Sequence, residues 1–316
     1  MKTEKTVLRS PLSILATATA TLGTGREDDL PLPRLPGFVE SAFSPLAYEV
    51  SRQCLTERPG DGSRTAVALA SLMGDTTTAD LASRRMVAGQ VHNPLLFMQA
   101  TANSVLGYTS REFGITGQTF SLSTLDDPVT ELLAMADLLL EDPELDRVLV
   151  LGVELGRGHL TAVAGEGERS EAGVPAADGW ARVADAYREL AIGSGRPVPP
   201  PSTPAGLAAA VLLGRPGGEA AVSVRSAEAH DADHAPHAEA VGTAAAGHPG
   251  NILGLFDLAA AHRRLLRDGG SHLLVTEPGA RCGPTAFLLT AGTDTPPGAP
   301  TDAPAVRDDR ETHAHH

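Results

Sequence analysis

The sequence predicts an α/β protein in which helices flank a parallel sheet. Two short apolar runs, RTAVALASL (64–72) and DRVLVLGVEL (146–155), are typical of strands that are buried on both faces. Between them, DPVTELLAMADLLLED (127–142) repeats its apolar residues at helical spacing. A strand, a helix and another strand in succession indicate a parallel sheet with helices packed against it.

The other elements of residues 1–155 are predicted from the same kinds of pattern. SILATATATL (13–22) alternates small and branched residues, which favours a buried strand over the signal peptide that the N-terminus faintly resembles. FVESAFSPLAYEVSRQCL (38–55) has helical spacing, and NPLLFMQATANSVLGYTSREFG (93–114) is predicted to be one helix ended by its last glycine. TFSLST (119–124) alternates as a strand. Together these elements form an N-terminal half.

The rest of the chain divides into a connection, a second ordered half and a tail. Residues 156–204 are rich in Gly, Pro and charge, with one short helix predicted at 178–190. Residues 205–292 form the second half, with strands predicted at 206–214, 220–229, 270–279 and 284–292 and a helix at 252–269. Residues 293–316 are mainly Pro, Asp, Thr and His, a composition that predicts disorder.

Charge and hydropathy exclude two classes of partner. The chain carries a formal net charge of −14, so nucleic acid and anionic membranes are poor partners. No apolar run approaches the roughly 20 residues of a membrane helix. Only Arg84-Arg85 and Arg263-Arg264 form basic pairs, and from sequence alone neither identifies a basic surface for an acidic protein.

Cysteine and histidine content predicts neither a disulfide framework nor a metal site. Cys54 and Cys282 are far apart in sequence, which fits a protein of the reducing cytoplasm. Cys54 lies in a predicted helix and is expected to be a small buried apolar residue. Solvated loops and a solvated tail account for the remaining histidine-rich segments, which are His230, His234, His237 and the terminal HAHH. No cofactor is predicted.

A series of small and polar residues between positions 93 and 154 carries a family resemblance. The residues are Asn93-Pro94, Asn103, Gly107, Gly114, Gly117-Gln118, Ser123-Thr124, Ala136 and the strand VLVLGVE (148–154). In this order and spacing they resemble the β-ketoacyl synthase family of the thiolase superfamily. The resemblance implies a thiolase-like layered α/β/α fold, truncated in the C-terminal half because the chain is shorter than a complete ketosynthase.

The same resemblance gives the position of the family's nucleophile. The family has Ser-Thr-Ala-Cys at the end of a strand, whereas Ser123-Thr124 is followed here by Leu125-Asp126. Counted from Asn103, Asp126 occupies the cysteine position. Condensation requires a thiolate, and a carboxylate is a poor acyl acceptor. Asp126 and Asp127 are therefore predicted to cap the next helix, with Pro128 opening it.

The histidine motifs of the family are degraded in the second half. Gly247-His248-Pro249-Gly250 resembles one of them, but Thr243 replaces its lysine, so His248 is interpreted as a remnant. Glu228-Ala229-His230 resembles the beginning of the other and lacks its Gly-Thr-Gly-Thr continuation. The residues around Cys282 resemble the family's final glycine-rich turn, which makes Cys282 a structural residue rather than a nucleophile.

The resemblance implies a chain-length-factor type of subunit with no catalysis of its own. Its expected partners are a cysteine-bearing ketosynthase and, through that complex, an acyl carrier protein. The interface and tunnel candidates are Phe97, Met98, Thr101, Asn103, Val105 and Tyr108, although ordinary core packing accounts for this helix equally well. One alternative is an acyltransferase or thioesterase-like enzyme that uses His248 with a carboxylate or with a hydroxyl, for which Ser123 and Thr124 are the candidates. The other is a malonyl-carrier decarboxylase.

Overall fold

The structure, a computed structural model, describes residues 7–22, 31–89, 95–123, 127–155, 206–217, 220–227, 252–276 and 285–292. The strands are β1 Leu12–Leu22, β2 Thr65–Ala70, β3 Thr119–Leu122, β4 Arg147–Leu155, β5 Gly206–Gly214, β6 Val222–Ser226, β7 Ser271–Val275 and β8 Ala286–Ala291. The helices are α1 Phe43–Glu57, α2 Thr76–Val87, α3 Leu95–Gln99, α4 Ala102–Phe113, α5 Pro128–Leu139 and α6 Leu253–Asp268. The segments predicted at 156–204 and 293–316 lie outside the described residues.

All eight strands belong to one sheet, in the order β3-β2-β4-β5-β1-β6-β8-β7. Only β2 with β3 and β2 with β4 pair in parallel. The other pairs, from β4–β5 to β7–β8, are antiparallel. The prediction of parallel pairing is therefore confirmed for β2, β3 and β4, the strands from which it was made, but the sheet as a whole is mixed. An apolar run indicates that a strand is buried on both faces, and it does not indicate the direction in which the strand runs.

The sheet lies between two layers of helices, as the layered α/β/α prediction requires. One face packs against α1 and α4, through residues such as Phe43, Leu46 and Leu106. The opposite face packs against α5 and α6, through residues such as Leu132 and Leu258. β4 and β5 are buried along their entire lengths because both of their faces are covered.

A β-bulge in β1 changes the direction in which its side chains point. The register shifts between Ile14 and Ala16. Before the bulge, Leu12 and Ile14 belong to the core beside α5 and α6. After it, Ala16 and the alanines that follow belong to the core beside α1, and Thr17 faces α6. A single extra residue exchanges the faces of a strand because the side-chain period is two.

Three helix predictions need correction. The single helix predicted at 93–114 is two helices, because Thr101 adopts an extended conformation (ψ 138°) and donates its hydroxyl to the Met98 carbonyl at 2.8 Å. The first helix starts at Phe43 rather than at 38. Helix α2, capped by the Asp75 side chain, was not predicted. Gly114 ends α4 as predicted, in the left-handed conformation with φ 63°.

Candidate functional site

The start of α5 contains the predicted helix cap. The Asp127 carboxylate accepts hydrogen bonds from the Thr130 amide at 2.8 Å and the Thr130 hydroxyl at 2.6 Å. Pro128 is the first residue of α5. The N-cap prediction is thus confirmed for Asp127, where the carboxylate satisfies an amide that the helix leaves free. Asp126 lies outside the described residues.

Asp127 also lies where the two halves of the chain meet. Its carboxylate is hydrogen-bonded to the side chain of Thr276, which follows β7, and burial raises its pKa despite these hydrogen bonds. Gly254, at the start of α6, packs against Val129: a Cβ on Gly254 would stand 2.6 Å from Val129 Cγ2 and 3.8 Å from Asp127 Oδ1. The beginnings of α5 and α6 therefore approach each other closely around a buried acid.

Two of the family-like residues hold the turn after β2. Glu154, at the end of β4, is 3% exposed and accepts a hydrogen bond from the Leu72 amide at 2.7 Å. Ser123 donates its hydroxyl to the Leu72 carbonyl at 2.7 Å. Both backbone groups of Leu72 are satisfied by side chains that come from neighbouring strands. In this geometry Ser123 acts as a tether, and its hydroxyl proton is directed to a carbonyl rather than to a base.

The one thiol in the described residues is inert. Cys54 is 0% exposed, and its Sγ lies 3.7 Å from the Ala210 carbonyl oxygen. Burial raises the pKa of this thiol to about 12, and a buried neutral thiol is a poor nucleophile. The prediction of a small buried residue is confirmed for Cys54. His248 and Cys282 lie outside the described residues.

The interface and tunnel candidates separate into two groups. Val105 is 1% exposed and lies in the core between α4 and the sheet. The Tyr108 ring packs edge-on against Phe38 and Tyr48, at centroid distances of 6.0 and 5.5 Å, while Arg111 lies 5.2 Å from its centre. These two side chains stabilise the fold of the chain itself. The others, Phe97, Met98, Thr101 and Asn103, are exposed.

Exposed apolar side chains gather around α3. Phe97 is 41% and Met98 65% exposed, and Leu95 on the same helix is 54% exposed. We call this surface the apolar patch; it comprises Val39, Met86, Val87, Leu95, Phe97 and Met98. Its parts are held together by the contact between α2 and α3 and by an ion pair between Arg85 and Glu40 at 3.5 Å. A group of large exposed apolar side chains on neighbouring elements commonly marks an interaction site.

The sequence analysis found only part of this patch. Met86 and Val87 lie at the end of α2, the helix that was not predicted, and Val39 lies in the preceding loop. In the sequence, Met86 and Val87 follow two arginines and come shortly before Gly89, which adopts a positive φ at the end of the helix. Taken alone, that signal does not distinguish an exposed pair from a buried one.

Strand β3 leaves one edge of the sheet open. The Gln118 and Leu122 carbonyls accept hydrogen bonds from β2, so the alternation of a parallel ladder turns the amides of Thr119 and Ser121 away from β2. Both residues are exposed. β3 is the last strand of the sheet on this side, and no other described strand pairs with its outer edge. An open edge is a template for pairing with another chain.

The described part of the chain lacks two further kinds of feature. None of its helices is long and apolar enough to cross a bilayer. Its His, Cys, Asp and Glu side chains do not form a group of three that could hold a metal ion.

No protein-family model matches the sequence, and no curated protein is detectably similar to it. Solved structures are similar in fold. The ishigamide ketosynthase/chain length factor superposes with a TM-score of 0.54 at 14% identity, over 89% of this chain and 99% of that chain. The complex AntDE:AntF, a type II polyketide acyl-carrier protein with its ketosynthase bound to the hexaketide, gives 0.57 at 12% identity, over 90% and 99%. A β-ketoacyl synthase from Burkholderia phymatum gives 0.52 at 11% identity, over 91% and 99%.

The chain has helices on both faces of one mixed sheet, and it superposes on these three structures. The chain has the ketosynthase-like fold of the thiolase type.

Proposed function

We propose that this chain is a non-condensing, ketosynthase-like subunit of the chain-length-factor type. It pairs with a cysteine-bearing ketosynthase and shapes the acyl tunnel of that partner in type II polyketide or polyene biosynthesis. The observation that carries the proposal is the sequence between β3 and α5. It reads Ser123-Thr124-Leu125-Asp126-Asp127, with no cysteine before the start of α5, where the family carries its nucleophile.

The chemistry of condensation explains why that absence matters. An acyl group must be accepted by a thiolate and then released to a carbanion, and a helix N-terminus lowers the pKa of a cysteine for this purpose. Asp127 caps the corresponding helix with a carboxylate that is already bonded to Thr130. The buried Cys54 cannot substitute, because its thiol lies on the other side of the sheet, in the core beside α1.

Two surfaces support pairing with another subunit. The open edge of β3 offers the outward amides of Thr119 and Ser121, to which a partner strand can add. The apolar patch offers exposed aromatic and thioether side chains, the types enriched in the centres of permanent interfaces. A heterodimer that buries both surfaces would gain backbone hydrogen bonds and a large apolar area at once.

Control of chain length would follow from the exposed end of α3. Phe97, Met98 and Thr101 are available to a partner, whereas Val105 and Tyr108 hold α4 in place behind them. A side chain that closes a tunnel limits the number of methylenes that fit, because overpacking costs about 1–3 kcal/mol. In this proposal the ketosynthase catalyses condensation, and this chain limits the length of the acyl product.

Co-expression with a cysteine-bearing ketosynthase of a type II system tests the proposal. Size-exclusion chromatography should give a stable one-to-one complex, and condensation should require the cysteine of the partner. A persistent monomer, or a homodimer that ignores the ketosynthase, would count against pairing. Release of CO2 from malonyl carrier protein by the purified chain alone would favour the decarboxylase alternative instead.

A further inference from the structure

Helix α6 presents a basic surface that is unusual for so acidic a chain. Arg263 and Arg267 are one turn apart and exposed, and Leu266 between them is 51% exposed. The whole chain carries a net charge of −14, so this surface has the opposite sign from the average. Like charges at this spacing weaken an isolated helix slightly, an effect that the helix C-terminus offsets because it favours cations.

A second element brings another cation to the same place. Arg58, which follows α1, donates its Nε to the Leu15 carbonyl at 3.2 Å, beside the bulge of β1. Leu15 lies two residues before Thr17, whose hydroxyl is 3.0 Å from Nδ1 of His262. Arg58 therefore lies near the part of α6 that carries His262 and Arg263, although it follows a different helix.

The described residues neutralise only part of the positive charge on this surface. Arg264 pairs loosely with Asp268, with 4.0 Å between Nε and Oδ2. No described residue forms an ion pair with Arg58, Arg263 or Arg267. We call the set Arg58, Arg263, Leu266 and Arg267 the basic α6 surface. An apolar centre flanked by unpaired cations is the arrangement expected for docking an acidic protein surface.

We propose that the basic α6 surface docks an acidic acyl carrier protein directly. The proposal rests on the proposed function, which makes a carrier protein the acidic macromolecule that this chain meets. Extended polyanions fit less well, because a net charge of −14 would repel them over the rest of the surface. A compact acidic helix matches the length of one helical face, with an apolar side chain meeting Leu266 and carboxylates meeting the arginines.

The test is a titration of the full-length chain with a fluorescently labelled acyl carrier protein from a type II polyketide system. Arg263→Glu combined with Arg267→Glu should raise Kd by about tenfold or more, because each change replaces an attraction with a repulsion. The matched control, Arg34→Glu with Arg84→Glu, changes the net charge equally at two other exposed arginines and should leave Kd within about twofold. Leu266→Ser should raise Kd without altering its dependence on salt.

Equal losses in the two double variants would overturn the proposal, since they would report only the overall charge. An unchanged Kd in Arg263→Glu/Arg267→Glu would also overturn it. If that variant misfolds, Arg263→Gln/Arg267→Gln gives the same reading without charge reversal. Co-elution with the ketosynthase is recorded for every variant. Loss of carrier binding with intact co-elution identifies a docking surface, whereas a wild-type chain that never co-elutes rejects the proposed function.

Discussion

Glu154 and Leu72 are joined by a hydrogen bond of 2.7 Å between the Leu72 amide and the Glu154 carboxylate. The two residues are far apart in sequence and meet because β2 and β4 are adjacent and parallel. A glutamate at the end of this strand is part of the family-like pattern. In this chain it closes the turn that leads to α2.

Replacing Glu154 should destabilise the chain. Glu154→Ala leaves the buried Leu72 amide without its acceptor, which should lower the free energy of unfolding by about 2–3 kcal/mol in urea denaturation. Glu154→Gln keeps an acceptor oxygen and should cost less than half as much. An alanine variant as stable as wild type would mean that water replaces the carboxylate.

Proline at position 121 should block pairing without unfolding the chain. The Ser121 amide is directed away from β2, so Ser121→Pro removes a donor to which no described residue offers an acceptor. Co-elution with the ketosynthase should fall by at least about tenfold, while thermal unfolding of the isolated chain shifts little. Ser121→Thr, which keeps the amide, is the matched control. If the proline variant still pairs, the interface lies elsewhere.

The size of residue 97 should set the length of the product. Phe97→Ala removes bulk at the proposed tunnel end and should lengthen the main product, whereas Phe97→Trp should shorten it, as read by mass spectrometry of carrier-bound chains. Leu138→Ala changes an exposed side chain on α5, which is 49% exposed, and should leave the product unchanged. Identical product profiles for the two Phe97 variants would place the end of the tunnel at other residues.

Acid should destabilise the chain through His262. Its Nδ1 lies 3.0 Å from the Thr17 hydroxyl, and burial, with Arg263 and Arg58 nearby, lowers its pKa from 6.5 to about 4. The unfolded chain then takes up the proton first, so stability is complete above about pH 6.5 and falls as the pH drops toward 4. The loss should be on the order of 3 kcal/mol.

Urea denaturation at several pH values checks this expectation. His262→Gln offers a polar side chain to Thr17 and does not titrate, so its stability should depend less on pH between 6.5 and 4 than that of wild type. Equal slopes for the two proteins would assign the acid sensitivity to other groups.

Local patterns predicted the elements whose causes are local. Asp127 and Pro128 indicate the start of α5, because the capping hydrogen bond joins residues that are only three positions apart. The apolar runs of β4 and β5 reveal their burial. Helix α2 escaped prediction because its buried residues include Thr77, Thr78 and Asp80, which weaken the apolar spacing on which helix prediction depends.

Features that depend on contacts distant in sequence could not be predicted. The Glu154–Leu72 hydrogen bond requires the order of the strands, and the antiparallel return of β5 requires the direction of each. The grouping of Phe97 with Met86 requires the packing of α2 on α3. The resemblance to ketosynthases identified the fold, but it did not separate Val105 and Tyr108, which serve the core, from Phe97 and Met98, which lie at the surface.

The bulge in β1 makes the Ala/Thr segment sensitive to changes in length rather than to changes in composition. Removing Thr17, which lies beyond the bulge, would move every later residue of β1 to the opposite face. Ala18 would then face His262, and Thr19 and Thr21 would replace alanines in the narrow space beneath α1. Ala18→Ser, a small substitution, should be tolerated far better than this deletion. In this segment the number of residues decides which side chains face α1 and which face α6.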